Sequence, residues 1–186
     1  MNDVFDAECV YHIYSRAIGN EKLFQIEDNY GYFLEKYDHF LGENVQTLAY
    51  CLIPNHFHFL IKINRGVTND KIVKAFSDFL NSYSKSINKV FERSGALFQR
   101  KFKRKKIDNE DYLSRIVIYI HLNPMKHNLT EGPLDWKYSS FRSYLSKKHS
   151  KLNREMVLEW FGGLDGFKLA HQTNTEFSIS EEFALE

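Results

Sequence analysis

Cysteine is scarce in this chain: Cys9 and Cys51 are its only two, and they form no CxxC pair. That excludes a disulfide framework, and a reducing, intracellular compartment is the expected setting. No apolar run approaches membrane-spanning length, so no membrane is expected as a partner. The opening residues MNDVFDAECV are acidic and lack the basic-then-apolar layout of a secretion signal. Net charge is small as well, at +1, which by itself argues against a nucleic-acid partner. What is left is the expectation of a soluble cytoplasmic protein, nucleoid-associated if it acts on DNA. With 186 residues, 43% of them hydrophobic, it is long enough to bury a real core.

The small total hides a sorting of charge. From Lys85 to Lys106 nine Lys and Arg face one acid, Glu92, a local balance of +8. From Lys151 to Glu186 three bases face seven acids, a balance of −4. Aromatic residues are abundant at 16%, with 16 Phe and 11 Tyr, more π surface than packing obviously requires. Some of it suits base stacking.

Periodicity sets out the elements. Alternation over residues 8–16 predicts a first strand, with a turn at Gly19-Asn20. Tyr30, Phe33, Leu34, Tyr37 and Leu41 form one helical stripe from about Glu27 to Leu41. A second strand is predicted from Val45 to Ile53, Pro54-Asn55 supplies a turn, and a third strand runs from His56 to Ile63. Apolar spacings of three and four from Ile72 to Phe91 predict a longer helix, and LFQRKFKRKKI, residues 97–107, a basic fourth strand. The order predicts an α+β fold: a ferredoxin-like, RRM-like split βαβ with an antiparallel sheet and both helices on one face. A third helix is expected from Glu110 to about Asn123, ended by Pro124, followed by short helical pieces in SSFRSYL and NREMVLEWF. The residues after Gly166 are expected to be poorly ordered. Residues 1–149 are thus read as one domain, and 150–186 as an acidic, partly helical or flexible extension that repels DNA unless it folds away or regulates access.

Strand alternation puts His56 and His58 on one face, with Phe57, Phe59, Ile61 and Ile63 on the other, packed under the helices. The imidazoles are then expected on the open side of the sheet, close enough to chelate one cation. A further ligand and a nucleophile are expected from the third helix, where Tyr119 and Asn123 project from the same side. Tyr112, two turns earlier on that stripe, competes with Tyr119, and spacing does not choose between them. A non-catalytic RRM-like nucleic-acid-binding module and a metal-dependent nuclease with no covalent intermediate are the alternatives. The first needs aromatics on the sheet face, where Pro54, Leu60 and Lys62 instead accompany the histidines.

Three ordered segments, LAYCLIPNHFHFLIK, GALFQRKFKRKKIDNEDYLSRIVIYIHLNPMKHNL and DWKYSSFRSYL, together resemble the single-tyrosine HUH transposases (IS200-like), on the side of their REP-associated tyrosine transposase branch. The resemblance spans roughly residues 8–147. It implies Tyr119, on the helix before the Asn-Pro pair, as nucleophile, and Asn123 as the ligand completing a Mg²⁺ or Mn²⁺ site with His56 and His58. It further implies a partner in single-stranded DNA, folded as a hairpin or palindrome, cleaved and rejoined through a 5′-phosphotyrosine link. The insertion-sequence members pair as dimers and REP-associated members can act alone, so the resemblance leaves a homodimer open for this chain. The expected DNA contacts are Arg16, Arg100, Lys101, Lys103, Arg104, Lys105, Lys106 and Lys126. Bases interleaved with Phe102 suit a surface that tracks a phosphate backbone.

Overall fold

A computed structural model describes residues 3–99 and 102–173. The elements follow in the order β1 (Val10–Arg16), α1 (Asp28–Leu41), β2 (Val45–Ile53), β3 (His56–Ile63), α2 (Asn69–Val90), β4 (Lys103–Ile107) and α3 (Glu110–Lys126). Three short helices close the described chain: α4 (Phe141–Leu145), α5 (Arg154–Trp160) and α6 (Leu164–Thr173). The sheet runs β2-β3-β1-β4, every neighbouring pair antiparallel. That is the expected ferredoxin-like order, with β3 and β1 central. No helix among the described residues is long and apolar enough to cross a membrane.

Two cores flank the sheet. Beneath α1 and α2, Tyr11 and Ile13 of β1 and Phe57, Phe59 and Ile61 of β3 are fully buried. Tyr37 of α1 stacks on Phe59 with ring centroids 4.1 Å apart, and Phe33 meets Phe57 and Phe79 at 5.2 and 4.7 Å. This aromatic layer fixes the register of β3, since a slip of one residue would drive the histidines into it.

The opposite face is not open. Ile116, Val117, Tyr119 and Ile120 of α3 lie against Leu48, Ala49, Cys51, Ile53 and Leu60, and Phe141, Tyr144, Val157 and Phe167 back α3 from the far side. From Ile116 to Asn123 every residue of α3 is buried, as in a helix held between two layers. The histidines expected on an open face are therefore covered.

Three further expectations change. Helix α3 does not stop at Asn123 but continues through Pro124 to Lys126. Proline costs the helix one hydrogen bond and is tolerated here in the last turn. Asn128, at φ 54°, turns the chain in the left-handed region, where the Leu129 N–H reaches Pro124 O at 2.9 Å. The chain after Gly166 is helical at least to Thr173, with Phe167 and His171 buried one turn apart. Its signal lay in an aromatic and an imidazole at i, i+4, one of them counted as polar. Strand β4 is shorter than predicted. Phe98 makes only an isolated bridge to Ala17, and regular pairing with β1 covers Val10 to Tyr14 against Ile107 to Lys103.

Candidate active site

Register places the site. Across the β1/β3 pair, His12 faces Leu60, Tyr14 faces His58 and Arg16 faces His56. Side chains opposite one another in a ladder share a face, so His12, Tyr14 and Arg16 stand with the two histidines under α3. Arg16 is half-buried at the His56 end.

Helix α3 delivers the other predicted residues. His56 Nε2 lies 3.0 Å from Asn123 Oδ1, and His56 Nδ1 lies 2.9 Å from Asn55 Oδ1. An amide oxygen only accepts, so His56 Nδ1 is the donor to Asn55. The other ring nitrogen, Nε2, hydrogen-bonds the Asn123 amide. Asn123 Nδ2 meanwhile is buried with no hydrogen-bond partner among the described residues. An imidazole nitrogen and an amide oxygen 3.0 Å apart have the spacing of adjacent ligands on one octahedral divalent ion. With His58, whose ring centroid lies 5.1 Å from that of His56, they make a two-histidine, one-amide donor set that suits a divalent ion. Among the described residues no group of three or more His, Cys, Asp and Glu is placed to hold a metal ion, so this set depends on the amide.

Tyr119 sits edge-on to His58, ring centroids 5.4 Å apart and planes at 83°. It is 3% exposed. Lys126, exposed at the end of α3, holds its Nζ 4.6 Å from the centroid of the Tyr119 ring. His127 meets the His56 ring at 4.7 Å. Tyr112, the competing tyrosine, is half-buried, with the Arg115 guanidinium 5.7 Å from its ring.

Sequence reading missed His12. Wholly buried, its Nε2 lies 2.8 Å from His58 Nδ1, with the two rings nearly coplanar at 16°. Burial, with the neighbouring Lys105 second, pushes its pKa down to about 3, so it is neutral. Tyr14 lies 5.9 Å from the His58 ring, and burial pushes its phenol up to about 12. The signal was present in YHIYSR, where alternation groups His12, Tyr14 and Arg16. Which strand they would face is set by long-range pairing alone.

The predicted basic strand divides by parity. Lys103 and Lys105 pair opposite Tyr14 and His12 and stand on the histidine side, Lys103 Nζ at 5.7 Å from the Tyr14 ring. Arg104 and Lys106 pair opposite Ile13 and Tyr11, on the other side. There Arg104 packs 4.4 Å over Phe5 and donates to Asp3 O, and Lys106 bonds Asp6 at 3.0 Å. These two pin the N-terminal segment to the edge strand, on the face away from Lys103 and Lys105. Arg100 and Lys101 lie outside the described residues.

Behind α3 a second imidazole pair ties the extension to the domain. His121 Nδ1 lies 2.9 Å from His171 Nε2, His121 Nε2 lies 2.7 Å from Ser140 Oγ, and His171 Nδ1 lies 2.8 Å from Phe167 O. Both rings are buried, and burial lowers both pKa values, His171 to about 4. Residues 150–173 thus pack on the helix that carries Tyr119. Their acids Glu155, Glu159 and Asp165 remain exposed.

A ferredoxin-like sheet with His-Phe-His on a central strand and a tyrosine set against it from a crossing helix defines the single-tyrosine HUH class of DNA transposase. The chain belongs to the IS200-like transposases, whose family model matches residues 6–123. It is similar to a protein of Haemophilus influenzae assigned by inference as a REP-associated tyrosine transposase. The two are 29% identical over 131 residues, 67% of this chain and 70% of that protein. In fold it resembles the solved structure of a REP-associated tyrosine transposase bound to a REP hairpin. There the TM-score is 0.68, at 14% identity, over 79% of this chain and 85% of that one.

Proposed function

We propose that this transposase binds hairpin-forming single-stranded DNA and cuts and rejoins it through a 5′-phosphotyrosine link on Tyr119. The observation that carries this reading is the convergence of His56 Nε2 and Asn123 Oδ1 at 3.0 Å, with the Tyr119 ring 5.4 Å from that of His58. A Mg²⁺ or Mn²⁺ ion held by His56, His58 and Asn123 would supply Lewis-acid stabilisation of charge on the scissile phosphate. The neutral phenol, with a reference pKa of about 10, is a poor nucleophile. Lys126 places a positive charge 4.6 Å from the centroid of the ring.

Attack by the phenolic oxygen forms the Tyr119 O–P bond and breaks the P–O3′ bond. The phenol gives up one proton and the departing 3′-oxygen takes one, so the new end is a 3′-hydroxyl. The energy of the phosphodiester is conserved in the link, and an incoming 3′-hydroxyl reverses the step without ATP. His56, His58, Asn123 and Tyr119 meet within one chain. With Tyr119 only 3% exposed, DNA must part the side chains above it. Lys126, exposed on a flexible stem, is placed to swing from the ring to a phosphate. Lys103, Lys105 and Arg16 extend the same face toward the β4 edge as a track for backbone phosphates. Helix α3 covers the surface an RRM-like module would use to stack bases, which disfavours that alternative.

The test is a denaturing gel of the full chain with a labelled single-stranded hairpin and Mn²⁺. Wild type forms a covalent adduct; Tyr119→Phe binds the hairpin with unchanged affinity and forms none. An adduct that persists in Tyr119→Phe rules out the assignment.

A further inference from the structure

His12 has no place in the chemistry so far, yet it is among the most completely buried polar groups of the described residues, and it hydrogen-bonds a proposed ligand. We infer that His12 is a positioning residue that fixes the tautomer and ring orientation of His58 for metal binding. The inference rests on the metal site proposed above.

The placement of one proton decides how His58 can bind a metal. A neutral imidazole carries one N–H and one lone pair, and a metal takes the lone pair. His58 Nδ1 is engaged 2.8 Å from His12 Nε2, so Nε2 is the nitrogen left to His58 for coordination. Coordination there requires the proton on Nδ1, and His12 Nε2 is then the acceptor that receives it. In the opposite arrangement His12 donates, and His58 points an Nε2–H at the place where a lone pair is needed. His12 Nδ1 has no partner among the described residues under either arrangement. What His58 Nε2 faces therefore decides between them, and a cation selects the first. The rings lie within 16° of coplanarity, the geometry an in-plane N–H to lone-pair bond needs.

The same role falls to Asn55 at the other histidine, where its Oδ1 accepts from His56 Nδ1 at 2.9 Å. Metal-ligating histidines commonly hand their second proton to a carboxylate or a backbone carbonyl. Here both acceptors, His12 and Asn55, are neutral side chains. The five residues of the shell, His12, Asn55, His56, His58 and Asn123, leave the charge of a bound cation uncompensated and directed at phosphate.

The experiment measures Mn²⁺ affinity of the DNA-free full chain by electron paramagnetic resonance, for wild type, His12→Leu, His12→Gln and His56→Ala. Melting temperatures are recorded beside each. Glutamine brings an amide oxygen to the place of His12 Nε2 and restores the acceptor. His12→Leu is expected to weaken Mn²⁺ binding about 10- to 100-fold, and His12→Gln to stay within a few-fold of wild type. Leucine binding Mn²⁺ as wild type does, or glutamine falling as far as leucine, overturns the inference. Loss of the cation in His56→Ala supports the site itself; wild-type affinity in that variant overturns the site, and the role of His12 with it. Long-range ¹H–¹⁵N spectra of the Mg²⁺-saturated wild-type protein give a readout free of substitution. His58 protonated at Nδ1 and bare at Nε2 is the expected signature, and Nε2–H overturns it.

Discussion

The two faces of one strand, β3, carry opposite burdens. Phe57, Phe59 and Ile61 enter an aromatic layer of α1 and α2, whereas His56 and His58, one residue out of phase, meet imidazoles, amides and a phenol under α3. From His56 to Ile61 both faces are buried. Burial therefore does not distinguish core from chemistry here; the polarity of what is buried does, because each polar group under cover costs stability unless something pairs with it. The apolar side stabilises the fold and sets the register, and the polar side draws on that stability to hold donors together.

Alanine substitutions break the comparison most sharply. His56→Ala is expected to cut adduct formation by more than about a hundredfold, since Lewis-acid stabilisation is worth several kcal/mol. Phe59→Ala, one strand face away, is expected to lower unfolding free energy by about 3–5 kcal/mol through the cavity it leaves. Urea titrations beside single-turnover adduct assays separate the two effects; equal stability losses at the two positions would erase the distinction.

Acid sharpens it next. His171 is held neutral by burial at a pKa of about 4, against about 6.5 in the unfolded chain. The unfolded state binds the proton first, so this contribution is complete above pH 6.5 and drains away as pH falls toward 4. Between pH 7 and 5 that amounts to on the order of 2 kcal/mol. His171→Leu is expected to lose correspondingly less stability over that interval, measured by urea midpoints at the two values. An unchanged slope would place the acid sensitivity elsewhere.

The smallest effect repeats the comparison on β4. Lys103→Gln with Lys105→Gln is expected to weaken hairpin binding and lower the slope of log affinity against log salt by about 1 per lost phosphate contact. Arg104→Gln with Lys106→Gln is expected to leave that slope alone and loosen the N-terminal segment. Fluorescence anisotropy across a salt series decides between them.

How legible this was depended on the range of the interactions. The period of two in HFHFLIKI and of 3.6 in α1 and α2 is local, and the strands and helices followed, Val45–Ile53 and His56–Ile63 to the residue. The partner of His58 is 46 positions away along the chain. No local pattern names it. The parity of β4 was likewise readable only after its register with β1 was known, so Arg104 and Lys106 were grouped with their neighbours. The unbroken apolar run IVIYI in α3 did carry an unused message. A helix buried all round needs a second cover, and α4, α5 and α6 provide it.

Strand cleavage as proposed uses the phenolic oxygen of Tyr119 as its nucleophile. Its most direct test is to trap the wild-type protein on a labelled hairpin oligonucleotide with Mn²⁺, digest the adduct and locate the nucleotide by mass spectrometry. The attachment is expected on the peptide containing Tyr119, at that tyrosine; attachment at Tyr112, or at any other side chain, would contradict the account.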